Sequence, residues 1–175
     1  MNEIIKKNGI NYGIITGLIS IFITASIYFI DLNLMTKWWL GILTLVIYII
    51  IGVVLLSKTK KELGGVFPFK DAFTTYFISA VIGIAISTIF NILLFNYIDP
   101  EAALKLKDLT IEATVTMLQK FGTPDAAIQE AVAKLQEYNQ FSTIELLKGS
   151  IWSILGSIIF GLILALIFRS KPQVE

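Results

Sequence analysis

The chain has 175 residues, 55% of them hydrophobic, with a mean hydropathy of +0.78. Its formal net charge of +1 is too small to suggest a nucleic-acid partner. Cysteine and histidine are both absent, which excludes disulfides and thiol catalysis, removes the commonest general acid–base group and argues against a zinc, copper or haem site.

The apolar residues fall in four blocks, 9–30, 38–57, 72–98 and 149–168, none containing Asp, Glu, Lys or Arg. A helix needs roughly 20 apolar residues to span the hydrocarbon core. A buried helix of a soluble protein is usually shorter and keeps a polar face. The expected fold is therefore all-α: an integral membrane four-helix bundle occupying residues 1–175 as one domain. Lys6 and Lys7 would suit the basic start of a cleaved signal peptide. The apolar run after them is too long, and Thr24-Ala25-Ser26 is followed by Ile27-Tyr28-Phe29-Ile30, so an uncleaved first span is expected.

Charge orients the spans. Lys6, Lys7, Lys58, Lys60, Lys61, Lys70, Arg169 and Lys171 lie on one side, where only Glu3, Glu62, Asp71 and Glu175 oppose them. On the other side acids outnumber lysines. Lys and Arg near span ends favour the cytoplasm, so both termini are expected there. Trp38, Trp39 and Trp152 fall at outer span ends, suiting rings that want an apolar bed and a wet edge.

The sizeable aqueous segment is 99–148, expected outside as a helical hairpin. Asp99-Pro100 reads as an N-cap followed by proline at the first helical position. Gly122 suits a left-handed stop, and Thr123-Pro124 a second start. Ser142 with Glu145 reads as a capping box, with Phe141 and Leu146 as its staple. Leu106, Leu109, Ala113 and Met117 form one apolar stripe on the first arm, and Ile111, Val115 and Leu118 a second. Ile128 and Leu135 recur at helical spacing on the other arm. One reading packs the arms on each other and on the membrane surface. The other makes Leu106, Leu109, Val115, Ile128 and Leu135 a contact face for another chain or a lipid.

Small residues recur every four positions, which places them on one helix face. They are Gly9, Gly13 and Gly17 in the first span, and Ser79, Gly83 and Ser87, continued by Asn91, in the third. In the fourth they are Gly149, Ser153, Ser157, Gly161 and Ala165. Lipid is as apolar as leucine, so spans associate through close packing, which small residues allow. Packing within the bundle is the first expectation, and a seam between two copies of the chain the alternative. Asn91 is the most polar side chain deep in a span and is expected to hydrogen-bond across the bundle or, alternatively, to meet a substrate.

Motifs of chemistry are missing. There is no Walker loop, GxSxG or HExxH. Asp31, Asp71 and Asp99 all sit at span ends, so no acid pair lies within the bilayer to relay protons. No catalytic residue, cofactor or metal is expected.

The run Lys61-Glu62-Leu63-Gly64-Gly65-Val66-Phe67-Pro68-Phe69-Lys70-Asp71-Ala72-Phe73 resembles bacterial membrane proteins of the domain-of-unknown-function 4199 family, as do Phe90-Asn91 and Phe95-Asn96-Tyr97-Ile98-Asp99-Pro100. The likeness covers most of the chain and is strongest between Lys61 and Pro100. It implies a bacterial inner membrane and assigns no activity. The expected function is a non-enzymatic membrane protein whose outer hairpin contacts protein or lipid. The alternative is a small transporter or channel component acting as an oligomer, with Ser79, Ser87, Asn91, Ser153 and Ser157 along its path.

Overall fold

The computed structural model describes residues 2–170. Lys171 and Glu175, which enter the charge comparison, lie outside the described residues. In chain order the helices are α1 (Glu3–Ile30), α2 (Trp38–Glu62), α3 (Phe69–Leu93), α4 (Pro100–Lys120), α5 (Asp125–Glu137) and α6 (Thr143–Phe168). A 3-10 turn, Leu32–Thr36, joins α1 to α2, and α3 ends in a π-helical turn, Leu94–Ile98. Among the described residues there is no strand, and α1, α2, α3 with its π turn, and α6 are each long and apolar enough to cross a membrane. The chain is a multi-pass membrane protein.

The helices outrun the uncharged blocks. α1 starts at Glu3, where the Asn2 side chain accepts from the Ile4 amide at 2.8 Å. α2 continues to Glu62 with Lys60 and Lys61 in its last turn, where cations complement the helix dipole. The loop beyond it reverses through Gly64 and Gly65, at φ 70° and 88°, a region open to glycine.

α1 and α3 run parallel in register along one seam. A Cβ on Gly9 would lie 2.9 Å from Ile78 Cβ, one on Gly13 2.7 Å from Ile82 Cβ, and one on Gly17 2.7 Å from Ile86 Cβ. Three missing side chains thus admit three β-branched ones, and the backbones approach closely. Gly83 reciprocates by receiving Thr16, whose Cγ2 would be 3.0 Å from an added Cβ. Ser20 and Ser87 share a 2.7 Å hydrogen bond farther along.

The end carrying Glu3 and Phe168, here the terminal end, is tightly closed. Leu56, Phe67, Ala72, Leu164 and Ala165 form a buried cluster. The Ser170 amide donates to the Phe67 carbonyl at 2.9 Å, and the Phe67 amide to Ser170 Oγ at 2.8 Å, so the chain after α6 is stitched to the α2–α3 loop. Buried Asn8 donates to Thr59 Oγ1 at 3.2 Å and Glu62 Oε2 at 2.7 Å, joining α1 to α2.

At the opposite, hairpin end, Leu32, Leu94, Phe95, Ala102, Ala103 and Leu106 form a second cluster that seats the start of α4 on the bundle. Asp99 caps α4, accepting from the Ala102 amide at 3.0 Å, with Pro100 leading the first turn as expected. Gly122, at φ 70°, ends the arm. The next start differs from expectation. Helix α5 begins at Asp125 with Pro124, not Thr123, at the cap position, and no side chain caps it. Ser142 caps α6, but only half of the expected capping box forms. The Glu145 carboxylate turns to Tyr138 Oη at 2.6 Å and Lys148 Nζ at 2.7 Å. Phe141 packs on Phe95, ring centroids 5.2 Å apart, adding to the core beneath α4.

Candidate functional site

A large ring on the third span marks where the bundle closes. Tyr76 of α3 is wedged between two glycines. An added Cβ on Gly161 of α6 would lie 2.7 Å from Tyr76 Cδ1, and one on Gly52 of α2 3.0 Å from Tyr76 Cε2. Below this ring, toward the terminal end, α2 and α6 meet through Leu56 and Leu164. Above it they part. Gly149 and Gly156 of α6, and Gly41 of α2, have no atom within 4 Å of where a Cβ would stand. Small residues that bring helices together elsewhere here line empty space.

That space is a cleft of about 680 Å³ between α2, α3 and α6. It continues into a wider groove of about 1290 Å³ roofed by α4. Leu45, Tyr48, Asn91, Gln140 and Leu146 belong to the walls of both. From Trp38 at the mouth to Gly52 at the floor is 14 residues of α2, roughly 21 Å at 1.5 Å per residue. The cleft runs from the groove beneath α4 down to Tyr76, which lines its floor.

Its walls are less polar than their composition suggests. Thr44, Ser150, Ser153 and Ser157 all donate to carbonyls of their own helices, at 2.7 to 2.9 Å. Asn91 was expected to bond across the bundle. Instead its amide donates to the Ser87 carbonyl one turn back, at 2.9 Å, because that acceptor is within reach on the same face. The cross-bundle bond belongs to Ser87. Asn91 Oδ1 and the hydroxyls of Tyr48 and Tyr76 make no hydrogen bond to a described residue.

The roof is one stripe of α4. Leu106 is buried in the core and Leu109 packs against it. Ala113 and Met117 continue over the groove, with Met117 51% exposed. Of the residues expected on a contact face, Leu106 is buried in the cluster that seats the hairpin and Ile128 is buried on α5; Leu109, Val115 and Leu135 are half-buried. Lys107 donates to the Gln136 carbonyl and Gln140 to Thr110 Oγ1 at 2.9 Å, holding the second arm against the first.

Charged residues line the groove. They are Lys37, Glu112 and Lys120, and none belongs to a salt bridge among the described residues. Tyr138, at the rim, has its phenol held above the usual range by the Glu145 carboxylate that it bonds. Asp31 nearby is held below the usual carboxylate range, chiefly by the backbone amide and side chain of Asn33.

The expected packing residues divide between two environments. Gly9, Gly13 and Gly17 lie in the α1–α3 seam with Gly83, and Gly161 lies against Tyr76. Ser79, Ser87, Asn91, Ser153 and Ser157 line the cleft, although Ser79 is itself buried and Ser87 also bonds across the seam. Sequence reasoning passed over Tyr48 and Tyr76, although Gly41, Thr44, Tyr48 and Gly52 share one face of α2. Among the described residues, no three of Asp, Glu, Cys or His come together as a metal-ligand set.

No curated protein and no solved structure matches the chain. The family model described as "Protein of unknown function (DUF4199)" matches residues 11–170, nearly the whole chain from the first span to the stitched end of the fourth. The four-span bundle is thus a member of the DUF4199 family.

Proposed function

We propose that this is a non-enzymatic protein of the bacterial inner membrane, with cytoplasmic termini and an extracytoplasmic hairpin, whose task is to hold a lipid beneath that hairpin. The observation that carries the reading is the cleft that runs under α4 and ends on Tyr76 between Gly52 and Gly161. A void among apolar helices in a bilayer is filled by the surrounding solvent, and that solvent is lipid. Hydroxyls that already bond their own helices leave walls suited to an alkyl chain.

Filling the void tests it. Gly156→Trp starts its side chain where an added Cβ meets nothing within 4 Å and sends the ring into the cleft; an unchanged melting temperature in detergent checks that the fold is retained. Native mass spectrometry of the gently extracted protein should show lipid adducts on the parent and lose them in Gly156→Trp. Equal adducts on both would refute the reading. Reporter tags should place residue 120 outside and residue 60 inside; the reverse would overturn the polarity.

A second reading, a transporter component, draws on the gathering of Ser79, Ser87, Asn91, Ser153 and Ser157 around one cleft. Flux through proteoliposomes that is lost in Asn91→Leu would favour it.

A further inference from the structure

We infer that the occupant of the cleft is a phospholipid, its phosphate at the mouth near Lys37 and Lys120 and its chain lying past Tyr48 toward Tyr76. The inference rests on the proposed lipid contact and supplies the chemistry of the ligand.

The lysines come from different elements. Lys37 stands at the start of α2, and Lys120 ends α4. Both line the groove. The carboxylates that pair with lysines elsewhere, Glu62, Glu130 and Glu145, serve Lys58, Lys134 and Lys148. Asp31 feels Lys37 and Lys105 only through space and spends its hydrogen bonds on Asn33. Glu112 lines the same groove, and Asp31 acts through space on Lys37 and Lys105, so three lysines meet two carboxylates and a single positive charge is left over. The first amides of α2 add to it, since no side chain caps that helix. A phosphate matches this potential, and a neutral glyceride does not.

Depth and wall chemistry set the rest of the ligand. Trp38 and Trp39 place the mouth in the headgroup zone. The cleft descends roughly 21 Å from Trp38 to Gly52, whereas one leaflet of hydrocarbon is about 15 Å deep, half of the usual core. An acyl chain fits that depth, and a free phosphate would leave it empty. A second copy of this chain could enter only by bringing a helix between α2 and α6 under α4.

The test uses the full chain in detergent, titrated separately with dioleoyl phosphatidylglycerol, dioleoylglycerol and inorganic phosphate, and read by native mass spectrometry. Phosphatidylglycerol should bind about tenfold more tightly than dioleoylglycerol, a difference of about 1.4 kcal/mol. The pair Lys37→Gln with Lys120→Gln should erase that preference, whereas Glu112→Gln should increase it, a gain that misfolding cannot mimic. Inorganic phosphate should not compete at the lipid's concentration. Equal binding of both lipids, with both lost in Gly156→Trp, would overturn the phosphate assignment and leave lipid contact standing. No adduct with either lipid, or a dimer in place of adducts, would overturn both.

Discussion

The Tyr28 hydroxyl donates a 2.7 Å hydrogen bond to Asp99 Oδ2, across 71 residues of sequence. The other oxygen of that carboxylate accepts from the Ala102 amide at 3.0 Å. One side chain therefore caps α4 and ties the hairpin to the top of α1. The two bonds favour the ionised form, and the Tyr28 bond most of all holds Asp99 below the usual carboxylate range.

A carboxyl depressed by folding contributes stability above its unfolded value of about 3.9 and loses it as pH falls through the lower folded value. Acidification below about pH 4 should thus loosen α4 from the bundle. Tyr28→Phe should raise the pH at which this happens, and Asp99→Asn should leave α4 looser at neutral pH with little further response to acid. The chain has no cysteine, so spin labels introduced at positions 119 and 43 report the distance across the groove. A distance that stays fixed with pH in the parent would contradict this account.

The two classes of glycine should respond differently to bulk. Gly13→Leu drives a side chain into Ile82 Cβ and the Ser79 carbonyl, both within 2.9 Å of its Cβ. Overpacking of this kind costs typically about 1–3 kcal/mol, and rigid backbone on one side places it at the upper end. An added Cβ on Gly149 meets nothing within 4 Å, and Gly149→Leu should leave the melting temperature in detergent nearly unchanged. Similar losses in both would mean that the seam and the cleft are not distinct.

Much of this architecture is legible from sequence, because a membrane leaves few solutions. Uncharged blocks of span length must be helices, and Asp99-Pro100 and Ser142 mark helix starts by chemistry that does not depend on tertiary context. The cleft is not legible, because a small residue has two opposite meanings. Gly161 and Gly149 belong to one stripe of α6, yet one touches Tyr76 and the other faces open space. The difference is made by α3, which presents a ring at one level and a smaller side chain, Ser87 or Asn91, at the other. Spacing within one helix carries no record of that. Asn91 misleads similarly: a polar side chain in a span needs a partner, but its own helix supplies one.

The α1–α2 clamp should be measurable on its own. Asn8 is 3% exposed and donates to both Thr59 and Glu62. Thr59 keeps its own bond to the Leu55 carbonyl when Asn8 is removed, so no buried donor is orphaned. Asn8→Ala also removes the bond to the Glu62 carboxylate, and a bond to a charged group sets the cost at about 2 kcal/mol. A double-mutant cycle with Thr59→Val isolates the pair, and additivity within about 0.3 kcal/mol would show that the two residues are uncoupled.

Tyr76 distinguishes a holder from a conduit. Its ring fills the gap between Gly52 and Gly161 and floors the cleft. Tyr76→Ala removes a half-buried ring, so the loss should stay below the roughly 3–5 kcal/mol of a fully buried aromatic truncation. Beneath it Phe67, Leu56 and Ala165 remain, each 0% exposed, as a second barrier to the terminal end. For a lipid holder, the variant should take a longer acyl chain, read as a shift in the adduct masses, while proteoliposomes stay as tight as before. A pathway gated by this ring would instead leak ions or small solutes once the ring is gone, and such flux would exchange the proposed function for the transport reading.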